Sequence, residues 1–124
     1  MLQSLHVKNF AIIDETEVDF REHLNIMTGE TGAGKSILID SVNAAIGAKV
    51  SKDIIRRGAD YALVELTFSE LGSTIVELLK EKDIYPEEGM LVLSRKIMES
   101  GKSVCKINGE TVTAAILKEV AGYL

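Results

Sequence analysis

A chain of 124 residues contains 46% apolar and 27% charged residues with a single proline, a composition that excludes disorder and low complexity. Its formal net charge of −5 excludes a general polyelectrolyte for nucleic acid, and its one cysteine excludes both an intrachain disulfide and a cysteine-cluster zinc site. No apolar run approaches the ~18 residues of a membrane span, so we expect a cytoplasmic globular domain, or a piece of a larger protein, with no membrane partner.

The first third of the chain predicts strands. Apolar and polar residues alternate over residues 3–8, and a second alternation with an acidic outer face covers residues 15–20. Residues 24–28 form a short apolar segment that predicts a parallel strand leading directly into glycine-rich sequence. From residue 35 to residue 46 apolar residues recur at intervals of three and four residues, which predicts a helix with a wide apolar face. This helix is expected to end before Gly47.

The remaining sequence predicts a mixture of strands and helices. Alternation over residues 62–68 predicts a strand, and a capping box from Thr74 to Glu77 predicts a helix that extends to Asp83. Residues 90–98 and 103–107 predict two strands joined around Ser100-Gly101. Asn108-Gly109 is typical of a hairpin turn, and Thr113 is expected to cap a last helix.

Residues 29–36 match the phosphate-binding motif G-x-x-x-x-G-K-[ST] at every fixed position, and they lie between a predicted strand and a predicted helix. Glycines let backbone N–H groups approach phosphates closely. Lys35 would add a charge near the β- and γ-phosphates, and the Ser36 hydroxyl would be a Mg²⁺ ligand. We therefore expect a nucleoside triphosphate site, for which the candidate residues are Gly29, Glu30, Thr31, Gly32, Ala33, Gly34, Lys35 and Ser36. The alternative is a glycine-rich turn that happens to end in Lys-Ser.

Other motifs narrow the class of nucleotide-binding protein. The sequence has no Asn/Thr-Lys-x-Asp element and no D-x-x-G switch, so a GTPase is disfavoured. It has four arginines, too few for the arginine-rich lid of a small nucleotide kinase, and 28 residues precede the motif. The predicted strands at 62–68 and 90–98 do not end in the Asp-Glu pair that a complete ATPase uses for Mg²⁺ and water. No catalytic residue is assigned in this sequence.

Two segments resemble the start of the SMC-like ATPases of bacterial DNA repair, whose ABC-type heads lie at the ends of a long coiled coil. They are residues 5–14 (LHVKNFAIID) and 28–37 (TGETGAGKSI), and the resemblance continues to the end of the chain. It implies an α/β fold, the P-loop NTPase fold of an ABC/SMC-like head. Residues 1–124 would be the N-terminal lobe of that head, with an antiparallel β-subdomain, truncated before the glutamine loop, the coiled coil and the C-terminal lobe.

The resemblance also implies site residues and a function. Lys8 and Asn9, at the end of the first strand, would lie near the nucleotide, and Arg56 or Arg57 would approach ATP or DNA. The chain would bind ATP and Mg²⁺ as the phosphate-loop half of an ATPase in DNA double-strand-break repair and recombination. Hydrolysis would occur only in the full-length protein.

The implied partners are the C-terminal lobe of the same head, a second head in an ATP-sandwich homodimer, and DNA through the full-length protein. The implied location is the bacterial cytoplasm, at the nucleoid. Simpler interpretations remain open: a plain turn at Lys8-Asn9, and a solvated basic loop at Arg56-Arg57. For the whole chain the alternative is a stand-alone P-loop nucleotide-binding or scaffold module.

Overall fold

A computed structural model describes residues 2–11, 13–19, 32–50, 52–86 and 88–124, with the backbone alone for residues 32–36 and 52. Within these residues, six strands and three helices follow one another along the chain. The strands are β1 (Leu2–Phe10), β2 (Ile13–Asp19), β3 (Tyr61–Phe68), β4 (Leu91–Met98), β5 (Ser103–Ile107) and β6 (Glu110–Val112). The helices are α1 (Gly32–Ala45), α2 (Ser73–Glu81) and α3 (Ala114–Ala121). The strand predicted at residues 24–28 lies outside the described residues.

The six strands form one antiparallel sheet in the order β2-β1-β3-β4-β5-β6. Strand β1 lies between β2 and β3, so a segment from the start of the chain pairs with one more than fifty residues later. In β3 and β4 every second side chain is buried, as the period-two alternation predicts. The sheet therefore has one face turned to a core and one outer face whose side chains are partly exposed.

All three helices contribute to the core on the inner face of the sheet. Helix α1 packs across β1, β3 and β4, while α3 packs on β5 and also contacts α2. The core side chains that are fully inaccessible include Leu5, Val7, Val64, Leu66, Leu79, Leu91, Leu93, Ile107, Leu117 and Val120. Leu79 comes from α2, and Leu117 and Val120 from α3, so each of these helices is fixed by apolar residues at helical spacing.

The turn and cap predictions have mixed outcomes. Asn108 (φ 49°) and Gly109 (φ 84°) both have positive φ, as a two-residue hairpin turn requires, which confirms that prediction. The Thr113 hydroxyl accepts a hydrogen bond from the Ile116 N–H at 3.1 Å, so the cap of α3 is confirmed. The capping box at Thr74 is wrong, because α2 begins one residue earlier, at Ser73. Its N-cap is Gly72, with no side-chain cap.

No helix among the described residues combines the length and the apolar character needed to cross a membrane.

Candidate nucleotide site

Helix α1 begins at Gly32, inside the phosphate-binding motif. The first four N–H groups of a helix have no partner within it, and the helix dipole is positive at this end. This donor set fits an anionic phosphate group. Gly29, Glu30 and Thr31 lie outside the described residues, and for Lys35 and Ser36 the structure gives only the helical backbone. Among the described residues no cluster of three or more His, Cys, Asp or Glu side chains could hold a metal ion.

The other end of α1 is closed by a glycine, as the sequence predicts. Gly47 has φ +101°, and its N–H donates to the Ala44 carbonyl at 3.2 Å. The Ala48 N–H donates to the Asn43 carbonyl at 3.0 Å, which completes a Schellman motif. A Cβ on Gly47 would lie 2.9 Å from the Cβ of Lys118 on α3, so α1 ends in close contact with another helix.

A buried arginine contacts the same end of α1. Arg95 on β4 is only 6% exposed, and its Nη1 donates to the carbonyls of Ala44, at 3.0 Å, and Ala48. Its Nε donates to the Ser103 hydroxyl on β5 at 3.2 Å. Arg95 is not among the site residues predicted from the sequence, although a signal was present: it occupies an inward position of β4 between Leu93 and Ile97, in phase with buried apolar residues.

The end of β1 is joined to the segment that contains the two candidate arginines. Asn9 has φ +55°, and its carbonyl accepts a hydrogen bond from the Arg56 N–H at 2.8 Å. Phe10 and Ile55 form an isolated antiparallel bridge. The guanidinium of Arg56 lies 3.4 Å from the carboxylate of Asp14 on β2. The structure thus brings Asn9 and Arg56 together, as a shared site would require.

Lys8 and Arg57 do not join this contact. The Lys8 ammonium lies 5.8 Å from the centre of the Tyr61 ring on the outer face of the sheet, and that ring also contacts Lys96 at 4.4 Å. Helix α1 packs on the opposite face. Arg57 is exposed. The role of these residues at a nucleotide stays a prediction.

The chain is similar to known proteins over its whole length. A family described as the AAA domain matches residues 4–122. DNA repair protein RecN from Bacillus subtilis is 43% identical over 125 residues, and RecN from Rickettsia felis is 46% identical over 124 residues. Each alignment covers 100% of this chain and 22% of the relative, so the chain spans about a fifth of the length of these proteins.

The fold has close neighbours among solved structures. A chain solved in work on "ATP-driven dimerization and DNA stimulated activation of SMC ATPases" superposes with a TM-score of 0.75 at 20% identity. The superposition covers 98% of this chain and 78% of that chain. At this identity the likeness concerns the fold, which is that of the N-terminal lobe of a P-loop NTPase head with its antiparallel sheet. The chain belongs to the AAA domain family. Its resemblance to the SMC-like ATPases of DNA repair, predicted from its motifs, is confirmed by its similarity to the RecN proteins.

Proposed function

We propose that the chain binds ATP with Mg²⁺ as the phosphate-loop half of an SMC-like ATPase that acts in DNA double-strand-break repair and recombination. The observation that carries the proposal is the start of α1 at Gly32, within a complete phosphate-binding motif. The RecN relatives are DNA repair proteins, and the SMC neighbour was studied for ATP-driven dimerization and DNA-stimulated activation. Both support an ATPase role.

In the proposed site, different groups of the motif would contact different parts of Mg-ATP. Backbone N–H groups of residues 29–36 would surround the phosphates, Lys35 would neutralise charge on the β- and γ-phosphates, and Ser36 would be a Mg²⁺ ligand. Ser36 would hold the metal, which would supply further neutralisation of the phosphate charge. These groups bind the ground state of ATP. They do not include a carboxylate that positions water.

We place the residues around Asn9 and Arg56 at the edge of the same site. Their backbone hydrogen bond fixes the end of β1 to the segment that precedes Gly58, so the two move together. Arg56 is held toward Asp14 and Arg57 is exposed, which leaves Arg57 free to approach a phosphate of ATP or of DNA. Lys8 would take part only through its backbone, because its side chain lies against Tyr61.

The other parts of a complete ATPase would come from partners. We propose that residues 1–124 act as the N-terminal lobe of one head, completed by the C-terminal lobe of the same head and by a second head in an ATP-sandwich homodimer. DNA would bind the full-length protein, in the bacterial cytoplasm at the nucleoid. The alternative is a stand-alone P-loop nucleotide-binding or scaffold module. Such a module would bind ATP without any gain from the C-terminal lobe.

Replacement of Lys35 by Ala tests the nucleotide site. Lys35→Ala should weaken ATP binding by about 1.5–3 kcal/mol, the contribution of a hydrogen bond to a charged group. Isothermal titration calorimetry with Mg-ATP measures the change. The fold should be retained, because the lysine of this motif serves phosphate rather than packing.

Lys80→Ala is the matched control for that experiment. Lys80 is an exposed lysine on α2, so its loss changes the net charge equally without touching the motif. It should leave ATP affinity unchanged. Equal ATP affinity in wild type and Lys35→Ala would contradict the assignment of residues 29–36 as the phosphate site.

A further inference from the structure

We propose that Arg95 is a positioning residue for the nucleotide site, acting through the helix that carries the phosphate-binding motif. The inference rests on the proposed function. Arg95 contacts α1 at its C-terminal end, where its guanidinium joins two carbonyls to the sheet. The N-terminal end of the same helix begins in the motif, at Gly32.

The contacts of Arg95 are unusual for a buried cation. Its side chain is 6% exposed, and its three described hydrogen bonds go to the carbonyls of Ala44 and Ala48 and to the Ser103 hydroxyl. No described ion pair joins Arg95 to a carboxylate. A buried charge is costly unless it is paired or fully hydrogen-bonded. Here the negative end of the helix dipole takes the place of a counter-ion.

This arrangement restricts how α1 can move on the sheet. The guanidinium is a planar group with donors in fixed directions, so two carbonyls and one hydroxyl define its position closely. Strand β4 pairs with both β3 and β5, and therefore does not shift alone. The Schellman motif at Gly47 and the contact with Lys118 close the same end of the helix. The C-terminal end of α1 is thus held by the sheet and by α3.

Fixing the C-terminal end of α1 also fixes the position of its first turn. A helix of 14 residues is about 21 Å long and behaves as a stiff rod. A shift or tilt at its C-terminal end therefore displaces its first turn. Because the motif's N–H groups must point at phosphate oxygens together, a small displacement weakens several hydrogen bonds at once. Loss of Arg95 should lower nucleotide affinity although it lies at the far end of α1.

The test compares Arg95→Met and Arg95→Lys with wild type and with Leu79→Ala. Leu79 is a fully buried residue of α2, so Leu79→Ala lowers stability while the hydrogen bonds of Arg95 to the end of α1 remain. Mg-ATP affinity is measured by calorimetry, and backbone amide exchange is followed in the nucleotide-free proteins. Arg95→Met should raise the ATP dissociation constant roughly tenfold, equivalent to ~1.4 kcal/mol. Exchange should accelerate in the last turn of α1.

The controls separate positioning from stability. Leu79→Ala should keep the wild-type ATP affinity at temperatures where it is folded, and Arg95→Lys should recover part of the affinity because an ammonium still faces the negative end of the helix. Wild-type affinity together with unchanged α1 exchange in Arg95→Met would overturn the inference. If Arg95→Met does not fold, the same two results for Arg95→Lys overturn it. A wild type that does not bind ATP refutes the proposed function instead, while the exchange result still decides the role of Arg95.

Discussion

At the scale of single residues, His6 links two carboxylates on the outer face of the sheet. Its Nδ1 lies 2.8 Å from a carboxylate oxygen of Glu65 on β3, and its Nε2 lies 2.8 Å from one of Glu15 on β2. Hydrogen bonds to Glu65 and then to Glu15 raise the pKa of His6, and the bond to His6 lowers the pKa of Glu15. Both ring nitrogens then act as donors, so the cluster favours the imidazolium.

This cluster predicts a pH dependence of stability. Because the pKa of His6 is raised above 6.5 on folding, its contribution is fully present below pH 6.5 and is lost as pH rises through the folded pKa. The contribution of Glu15 is present above pH 4.5 and is lost as pH falls through its lowered pKa. Thermal unfolding of wild type and His6→Gln, from pH 5.5 to 8.5, should show a Tm difference that shrinks as pH rises. A constant difference would contradict the prediction.

The sequence predicts individual side chains well where a pattern fixes them and poorly where a partner does. The strand predicted at residues 90–98 is confirmed as β4, whose geometry buries Leu91, Leu93 and Ile97. The same geometry also buries Arg95, although an arginine is normally expected at the surface. What makes its burial possible is the C-terminal end of α1, some fifty residues earlier in the chain, and no local pattern reveals that acceptor.

At the scale of elements, local chemistry predicts the ends of helices with different success. Thr113 caps α3 as expected, whereas α2 begins at Ser73 and leaves Thr74 inside its first turn. The reason is a hydrogen bond from the Val76 N–H to the Gly72 carbonyl at 3.2 Å, which begins the helix before the predicted cap. Gly72 has φ −72° and ψ 160°, the extended conformation of an N-cap. Either start leaves Ile75 and Leu79 facing the core, so the apolar pattern cannot choose between them.

The end of α1 gives a prediction at this scale. Gly47→Ala should destabilise the chain by roughly 2 kcal/mol or more, because alanine is strained at φ +101° and its Cβ would meet Lys118. Gly101→Ala is the control, since Gly101 has φ +93° with nothing within 4 Å of an added Cβ. Urea unfolding of both variants separates backbone strain, which they share, from the contact with α3. Equal losses of stability would show that α1 and α3 are not closely packed at Gly47.

At the scale of the whole molecule, the sequence indicates the strands but not their order. Strands that follow one another in the chain pair in β1-β2 and from β3 to β6, over short turns except between β3 and β4, where α2 intervenes. The pairing of β1 with β3 is different, because it skips β2, which pairs with the other edge of β1. It depends on which surfaces α1 covers, a property of tertiary packing. The resemblance to SMC-like heads implied an antiparallel β-subdomain without its strand order, and the superposition with an SMC ATPase chain confirms the fold.

In the proposed function, the complete site needs more than this chain. In the sequence, one adjacent Asp-Glu pair occurs, Asp14-Glu15, and it opens β2 instead of following an apolar strand. Asp14 pairs with Arg56, and Glu15 pairs with His6. These carboxylates contact β1 and the segment that carries Arg56. In the proposed function the chain would supply groups that bind the nucleotide in its ground state, whereas hydrolysis requires groups that act on the transition state, such as a carboxylate that orients water.

We therefore predict that residues 1–124 alone do not turn over ATP, and that addition of the C-terminal head lobe in trans restores hydrolysis. The expected gain has a physical source: the second lobe would bring the water-orienting carboxylate and further charge around the γ-phosphate. Steady-state phosphate release is measured for the chain alone, for the lobe alone and for the mixture, with Lys35→Ala in each mixture as the control. Hydrolysis by the mixture should depend on Lys35. Lys35-dependent turnover by the chain alone would show that a catalytic carboxylate lies within these residues, and the proposed division of the head into a phosphate-loop half and a catalytic half would be wrong.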